Sequence, residues 1–229
     1  MKKLLSIILI FVFVLSLAGC AQKVDWNTYQ GKDVVLEVNG RTYTKDYIQY
    51  LSAQGEVSNN ISKQLAEGEQ DNLAIEEVAQ NYDDCLNRIA CLAALDAVAE
   101  KEGLAVSEEE AKKYTEDTYV GNSAQYDYMQ EYMDQLLSKT GFSQEEFLEI
   151  AATEMKLMLG ADAVSAKYIQ EIQNENSGLI EKAVINALAQ RMAEETKGIT
   201  VQRAGKDYRP VFDDYAKEIV LLTAGRSEE

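Results

Sequence analysis

LEVNGRTYTKDYIQYL, residues Leu36 to Leu51, changes its hydrophobic period partway along. Val34, Leu36 and Val38 alternate with Val35 and Glu37, the two-residue period of a half-exposed strand. Asn39-Gly40 follows, the favoured pair for a two-residue hairpin turn whose central residues both need positive φ. Arg41-Thr42-Tyr43 then forms a short return strand. Thr44 is placed to cap a helix, with Asp46 near its positive end and Tyr47, Ile48, Tyr50 and Leu51 as its apolar side. The unit reads as strand, turn, strand, helix, and it contains nothing reactive.

The residues before it set an expected location. Lys2 and Lys3 precede a run from Leu4 to Leu17 that is apolar apart from Ser6 and Ser16. LAGC, Leu17 to Cys20, closes it and resembles the lipobox of bacterial lipoproteins, in which a lipid is attached to the cysteine and the chain is cut just before it. The run is short for a spanning helix, so residues 1–19 read as a cleaved signal, Cys20 as the acylated (palmitate-bearing) anchor and 20–32 as a tether. The expectation is a lipid-anchored protein on the extracytoplasmic face of the cell membrane. Ala21, not Asp, follows the cysteine, so no Gram-negative inner-membrane retention signal is evident.

Charge narrows the partners. Removing residues 1–19 takes away Lys2 and Lys3 and no acid; 20 basic side chains then face 39 acidic ones, and the net charge moves from −17 to about −19. Such a body argues against nucleic acid, whose phosphates need a basic footprint. It also argues against lying on anionic lipid, so membrane attachment is expected through Cys20 only.

Further along, Ile75, Val78, Tyr82, Cys85, Ile89 and Leu92 step by three and four, predicting a helix from about Asp71 to Glu102, stopped by Gly103. Cys85 and Cys91 on one helix would have Cα atoms about 9 Å apart, beyond disulfide reach, and read as core residues. Ser107 with Glu110, and Ser143 with Glu146, make capping boxes; Phe142 and Phe147 fit a hydrophobic staple, and Phe147, Ala151, Met155 and Met158 an inner stripe. A Tyr- and Met-rich segment, Ala124 to Lys139, lies between them. The rest reads as a closing helix over about 143–173, an interruption at Asn174–Gly178, and a C-terminal helix over about 179–197, periodic from Leu179 to Glu195 and ended by Gly198. A strand at Ile199–Gln202, expected to pair with the hairpin, and a terminal helix over Lys206–Leu222 complete it. Pro210 is the single proline, which permits such long helices.

The chain holds no His, which excludes Ser-His-Asp and Cys-His catalysis and His-based zinc sites. Asn174–Gly178 misses the calcium-loop spacing, because Gln173, Glu175 and Ser177 stand where Asp or Asn are needed. Acidic runs such as Glu108-Glu109-Glu110 and Glu145-Glu146 read as helix N-terminal charge. No enzyme, cofactor or metal is expected.

The order of parts resembles the N-terminal chaperone domain of the SurA/PrsA family of extracytoplasmic foldases. VNGRTYTKDYIQYL (Val38–Leu51) resembles its opening hairpin and helix, CLNRIACLAALDAVAEKEGLAVSEEEAKKY (Cys85–Tyr114) its next two helices, and TGFSQEEFLEIAATEMKLML (Thr140–Leu159) its closing helix. ITVQRAGKDYRPVF (Ile199–Phe212) is similar to the strand and tail of PrsA-type lipoproteins. The resemblance implies a mainly α, SurA N-terminal-like (trigger-factor C-terminal-like) fold over 33–229 with a small antiparallel sheet. It implies binding of unfolded or newly exported polypeptides. PrsA-type proteins carry a parvulin prolyl-isomerase domain before the C-terminal helix; here only about Val164 to Ile180 lies at that place, so no isomerase is expected. Tyr126, Tyr128, Met129, Tyr132 and Met133 are candidate peptide-binding residues, since Tyr and Met adapt to many apolar partners; helix–helix core is their other reading. The alternative function is a dedicated docking subunit of a cell-envelope complex.

Overall fold

The computed structural model describes residues 33–68, 81–122, 126–176 and 178–226. Cys20, the tether and the start of the helix expected from Asp71 lie outside them.

The hairpin forms as its turn residues require. β1 (Val34–Val38) and β2 (Arg41–Thr44) are antiparallel, and Asn39 and Gly40 have φ of 49° and 81°. The chain then enters α1 (Lys45–Gly68), where Tyr47, Ile48, Tyr50 and Leu51 are all buried. α2 (Tyr82–Glu102) is capped by the Asn81 side chain and stopped by Gly103 in the left-handed region. α2 is buried nearly all round from Cys85 to Ala99, the polar Arg88 and Asp96 included, and packs on α1, β1 and, most extensively, α5. Cys85 and Cys91 are free thiols buried in it, and burial pushes Cys85 up to about 12.

Both capping boxes are present, Ser107–Glu110 opening α3 (Glu108–Thr115) and Ser143–Glu146 opening α5 (Gln144–Glu175). A π-helical turn (Glu116–Gly121) continues α3, and α4 (Asp127–Thr140) ends at Gly141, again left-handed. α5 is about 48 Å long at 1.5 Å per residue and carries α3 on one side and α2 on another. Gly160 lets α2 approach it: a Cβ there would lie 2.4 Å from the Asp96 carboxylate and 3.3 Å from the Asp96 Cα.

α6 (Glu181–Glu195) begins directly after the interruption, so α5 and α6 leave no place for a parvulin domain among the described residues. Two boundaries differ from expectation. α6 ends at Glu195 with Thr196, not Gly198, as its C-cap; the Thr196 hydroxyl donates to the Met192 carbonyl (2.7 Å). The terminal segment is not helical from Lys206. β3 (Val201–Arg203) and β4 (Lys206–Asp207) form a second hairpin about Ala204-Gly205, both at positive φ, and α7 starts only at Asp213, running to Arg226. Asn87 holds the connection, donating to the Val211 carbonyl (2.8 Å) and accepting from its amide (2.9 Å).

The expected pairing of the chain's two ends is present, two residues further along than Ile199. The sheet order is β2-β1-β3-β4, with Glu37 opposite Gln202 and Val38 opposite Val201. Asn39 reinforces it: its amide donates to the Thr200 carbonyl (2.9 Å), and its side-chain oxygen accepts from the Thr200 amide (3.0 Å).

Candidate functional site

An ion cluster fixes the hairpin on the helices. Asp96 of α2 is fully buried, accepting from Lys156 of α5 (2.6 Å) and Arg41 of β2 (3.3 Å). Both cations also reach Glu100, at 3.0 and 2.7 Å. Burial holds the Asp96 carboxyl above its ordinary range against the pull of Lys156. The cluster locks one end of β2 against α2 and α5.

A cleft opens above it. Its first part, about 560 Å³, lies between the hairpin (Gly40 to Tyr43), α3 (Glu108, Lys112) and α5 (Glu149 to Leu157). Its second, about 480 Å³, continues between α3 and the start of α5, sharing Lys112, Glu149 and Ala152 with the first. Among the described residues the apolar lining is Tyr43, Leu148, Ala152 and Leu157. The acids are Glu108, Glu116, Glu145 and Glu149. A third concavity, about 620 Å³, is lined among the described residues by polar and charged side chains of α4.

The two capping-box helices supply the acids for a simple reason. Glu110 and Glu146 turn back to their caps, and the Ser107 amide and hydroxyl hold the Glu110 carboxyl below its ordinary range. Their neighbours Glu108 and Glu145 then point elsewhere, and here they line the cleft. The sequence carries the capping signal plainly. It carries no signal that two such helices lie side by side facing a strand.

The five residues chosen from the Tyr- and Met-rich segment are divided. Met129, Tyr132 and Met133 are buried, with Leu136, on the inner stripe of α4 against α1, and are core rather than groove. Tyr132 stacks on Tyr119 (centroids 6.3 Å, 7° between planes), which meets Phe147 edge-on at 5.1 Å. Tyr126 and Tyr128 are half-buried and in ring contact at 5.7 Å. None of the five lines the cleft.

Beneath this aromatic layer lies a second polar centre. Glu154 of α5 is buried and accepts from Tyr50 Oη (2.8 Å) and Gln54 Nε2 (3.1 Å) of α1. Arg88 of α2 pairs with Glu218 of α7 (3.1 Å), both buried. Burial works against the Arg88 charge, but Glu218 and then Glu154 keep its pKa above the ordinary value. These groups hold helices together; a 30 Å³ void beside Arg88 has room for about one water. Among the described residues no group of three or more His, Cys, Asp or Glu is placed to hold a metal ion, and no helix is long and apolar enough to cross a membrane.

Compared with known families, residues 1–158 match the SurA-like N-terminal domain. Every residue lining the cleft, from Gly40 to Leu157, falls inside that span. No curated protein and no solved structure matches the chain.

Proposed function

Because the chain belongs to the SurA-like N-terminal domain family, we propose that it is a lipid-anchored, extracytoplasmic chaperone-like protein that binds unfolded or newly exported polypeptides. The family supports the chaperone-like role, and the observation that carries the reading to a site is the cleft built wholly from the matched residues. The lipobox-like Leu17–Cys20 supports the anchor. The reading assigns no prolyl isomerase activity, since the chain has no His and α5 passes into α6 without an intervening domain.

The cleft also bears on how tightly a client is held. Its apolar lining is small, and burying a few hundred Å² at about 25 cal/mol per Å², less the cost of ordering, gives weak and reversible contact. That suits a factor that must release what it binds.

Photocrosslinking in cells from a reactive residue at Thr153, on the cleft wall, tests the reading. Crosslinks to many different chains support it. One abundant species would instead mark a docking subunit for a single partner, and no crosslinked protein would contradict both.

A further inference from the structure

The cleft has a feature that a purely apolar groove lacks: one wall is the open edge of a sheet. In the order β2-β1-β3-β4, β2 has a strand on one side only among the described residues. The cleft is lined by Gly40, Arg41, Thr42 and Tyr43 of the hairpin and by no residue of β1, so it runs along β2's outer edge and not over a face of the sheet.

The register shows which backbone groups face it. Val38 and Arg41 flank a two-residue turn and form its closing pair, which exchanges both hydrogen bonds in hairpins of this type. The next pair, Glu37 and Thr42, therefore directs its backbone groups away from each other. Glu37 faces β3, as its pairing with Gln202 and the neighbouring Asn39–Thr200 bond require. Thr42 consequently turns its amide and carbonyl outward, into the cleft. An edge presenting such groups is a template for an added strand.

The charges specify the occupant. Of the cations lining the cleft, Arg41 and Lys156 are committed to Asp96 and Glu100. That leaves Lys112 against Glu108, Glu116, Glu145 and Glu149, none of which forms an ion pair among the described residues. The cleft is thus complementary to a cationic segment.

We infer that the cleft takes an extended polypeptide segment rich in Lys or Arg, which adds as a strand to the outer edge of β2 through Thr42 and sets its basic side chains against Glu108, Glu145 and Glu149. An extended strand projects side chains alternately to opposite sides, so an apolar residue can meet Ala152 and Leu157 while its neighbours meet the acids. The inference rests on the polypeptide-binding reading and adds the conformation and charge of what is bound.

The test uses the full-length chain purified in detergent and labelled peptides of about eight residues, followed by fluorescence anisotropy. Alternating Val-Lys is compared with alternating Val-Glu, and each with a form N-methylated at alternate amides, made in both registers. Val-Lys is expected to bind at least about tenfold more tightly than Val-Glu, with added salt reducing the difference. N-methylation in one register is expected to weaken Val-Lys about tenfold or more, through lost backbone bonds. The double variant Glu145→Gln, Glu149→Gln is expected to shrink the preference for Lys. Equal binding of Val-Lys and Val-Glu, or indifference to N-methylation in both registers, overturns the inference. The methylated peptides leave the protein unaltered, so a folding defect cannot imitate the result. If unfolded clients are protected from aggregation while these peptides show no preference, this inference fails and the proposed function stands. If the peptides bind as stated while no client is protected, the strand site stands and the chaperone reading fails.

Discussion

Glu154 is a carboxyl group surrounded by Tyr50, Gln54, Tyr119 and, further off, Arg88, whose own direct partner is Glu218. Burial raises its pKa above the ordinary 4.5, against the pull of Arg88 and the Tyr50 and Gln54 hydrogen bonds. An acid whose folded pKa lies above its unfolded one contributes stability below the unfolded pKa and loses it as pH rises through the folded one. Stability should therefore fall as pH rises above the ordinary carboxyl value of 4.5, and Glu154→Gln should flatten that part of the profile. Urea unfolding at a series of pH values measures it, and an unchanged slope would show that Glu154 is not responsible. A second residue-scale prediction concerns Cys20. Cys20→Ala should abolish incorporation of labelled palmitate in cells, and labelling that persists in the variant would refute the anchor.

Among the elements, the four-stranded sheet is the smallest part of the fold and the one that joins its ends. Asn39 carries much of that duty. It tolerates φ of 49° and bonds Thr200 through both amide and side chain. Asn39→Ala should destabilise by about 2 kcal/mol, combining a left-handed penalty of about 1 kcal/mol with a lost hydrogen bond of similar size. Asn39→Gly keeps the turn and loses only the side-chain bond, so it should cost about half as much; equal losses in a urea titration would assign the whole effect to one cause. Much at this scale was legible in advance. Asn39-Gly40, the two capping boxes, Gly103 and Gly141 state their geometry locally, because each satisfies backbone groups within a few residues. The β3–β4 hairpin was not legible. Ala204-Gly205 is a weak turn signal, and two residues of β4 hold their place only because β3 is already paired to β1. Met129, Tyr132, Met133 and Leu136 form one buried stripe, but a Tyr- and Met-rich composition does not say whether such a face meets another helix or a ligand.

At the scale of the whole molecule, α5 packs on α1, α2, α3, α6 and α7, and the hairpin is clamped to α2 and α5 by Asp96, Glu100 and Lys156. The cleft exists because three elements distant in sequence, β2, α3 and α5, are held apart on that frame. No local signal announces it, and the Tyr- and Met-rich composition of α4 points away from it to the core. With the lipid expected to do the anchoring and a body of net charge about −19 after loss of residues 1–19, a loaded protein would be kept soluble by repulsion and would favour basic clients. The central claim is the binding of non-native chains, and light scattering tests it most directly. Residues 21–229, in stoichiometric excess and without ATP, are mixed with several unrelated denatured proteins as each is diluted into buffer. The account predicts suppressed aggregation, strongest for basic clients and diminished in the Glu145→Gln, Glu149→Gln variant; unchanged aggregation of every client in the presence of the folded wild-type protein would contradict it.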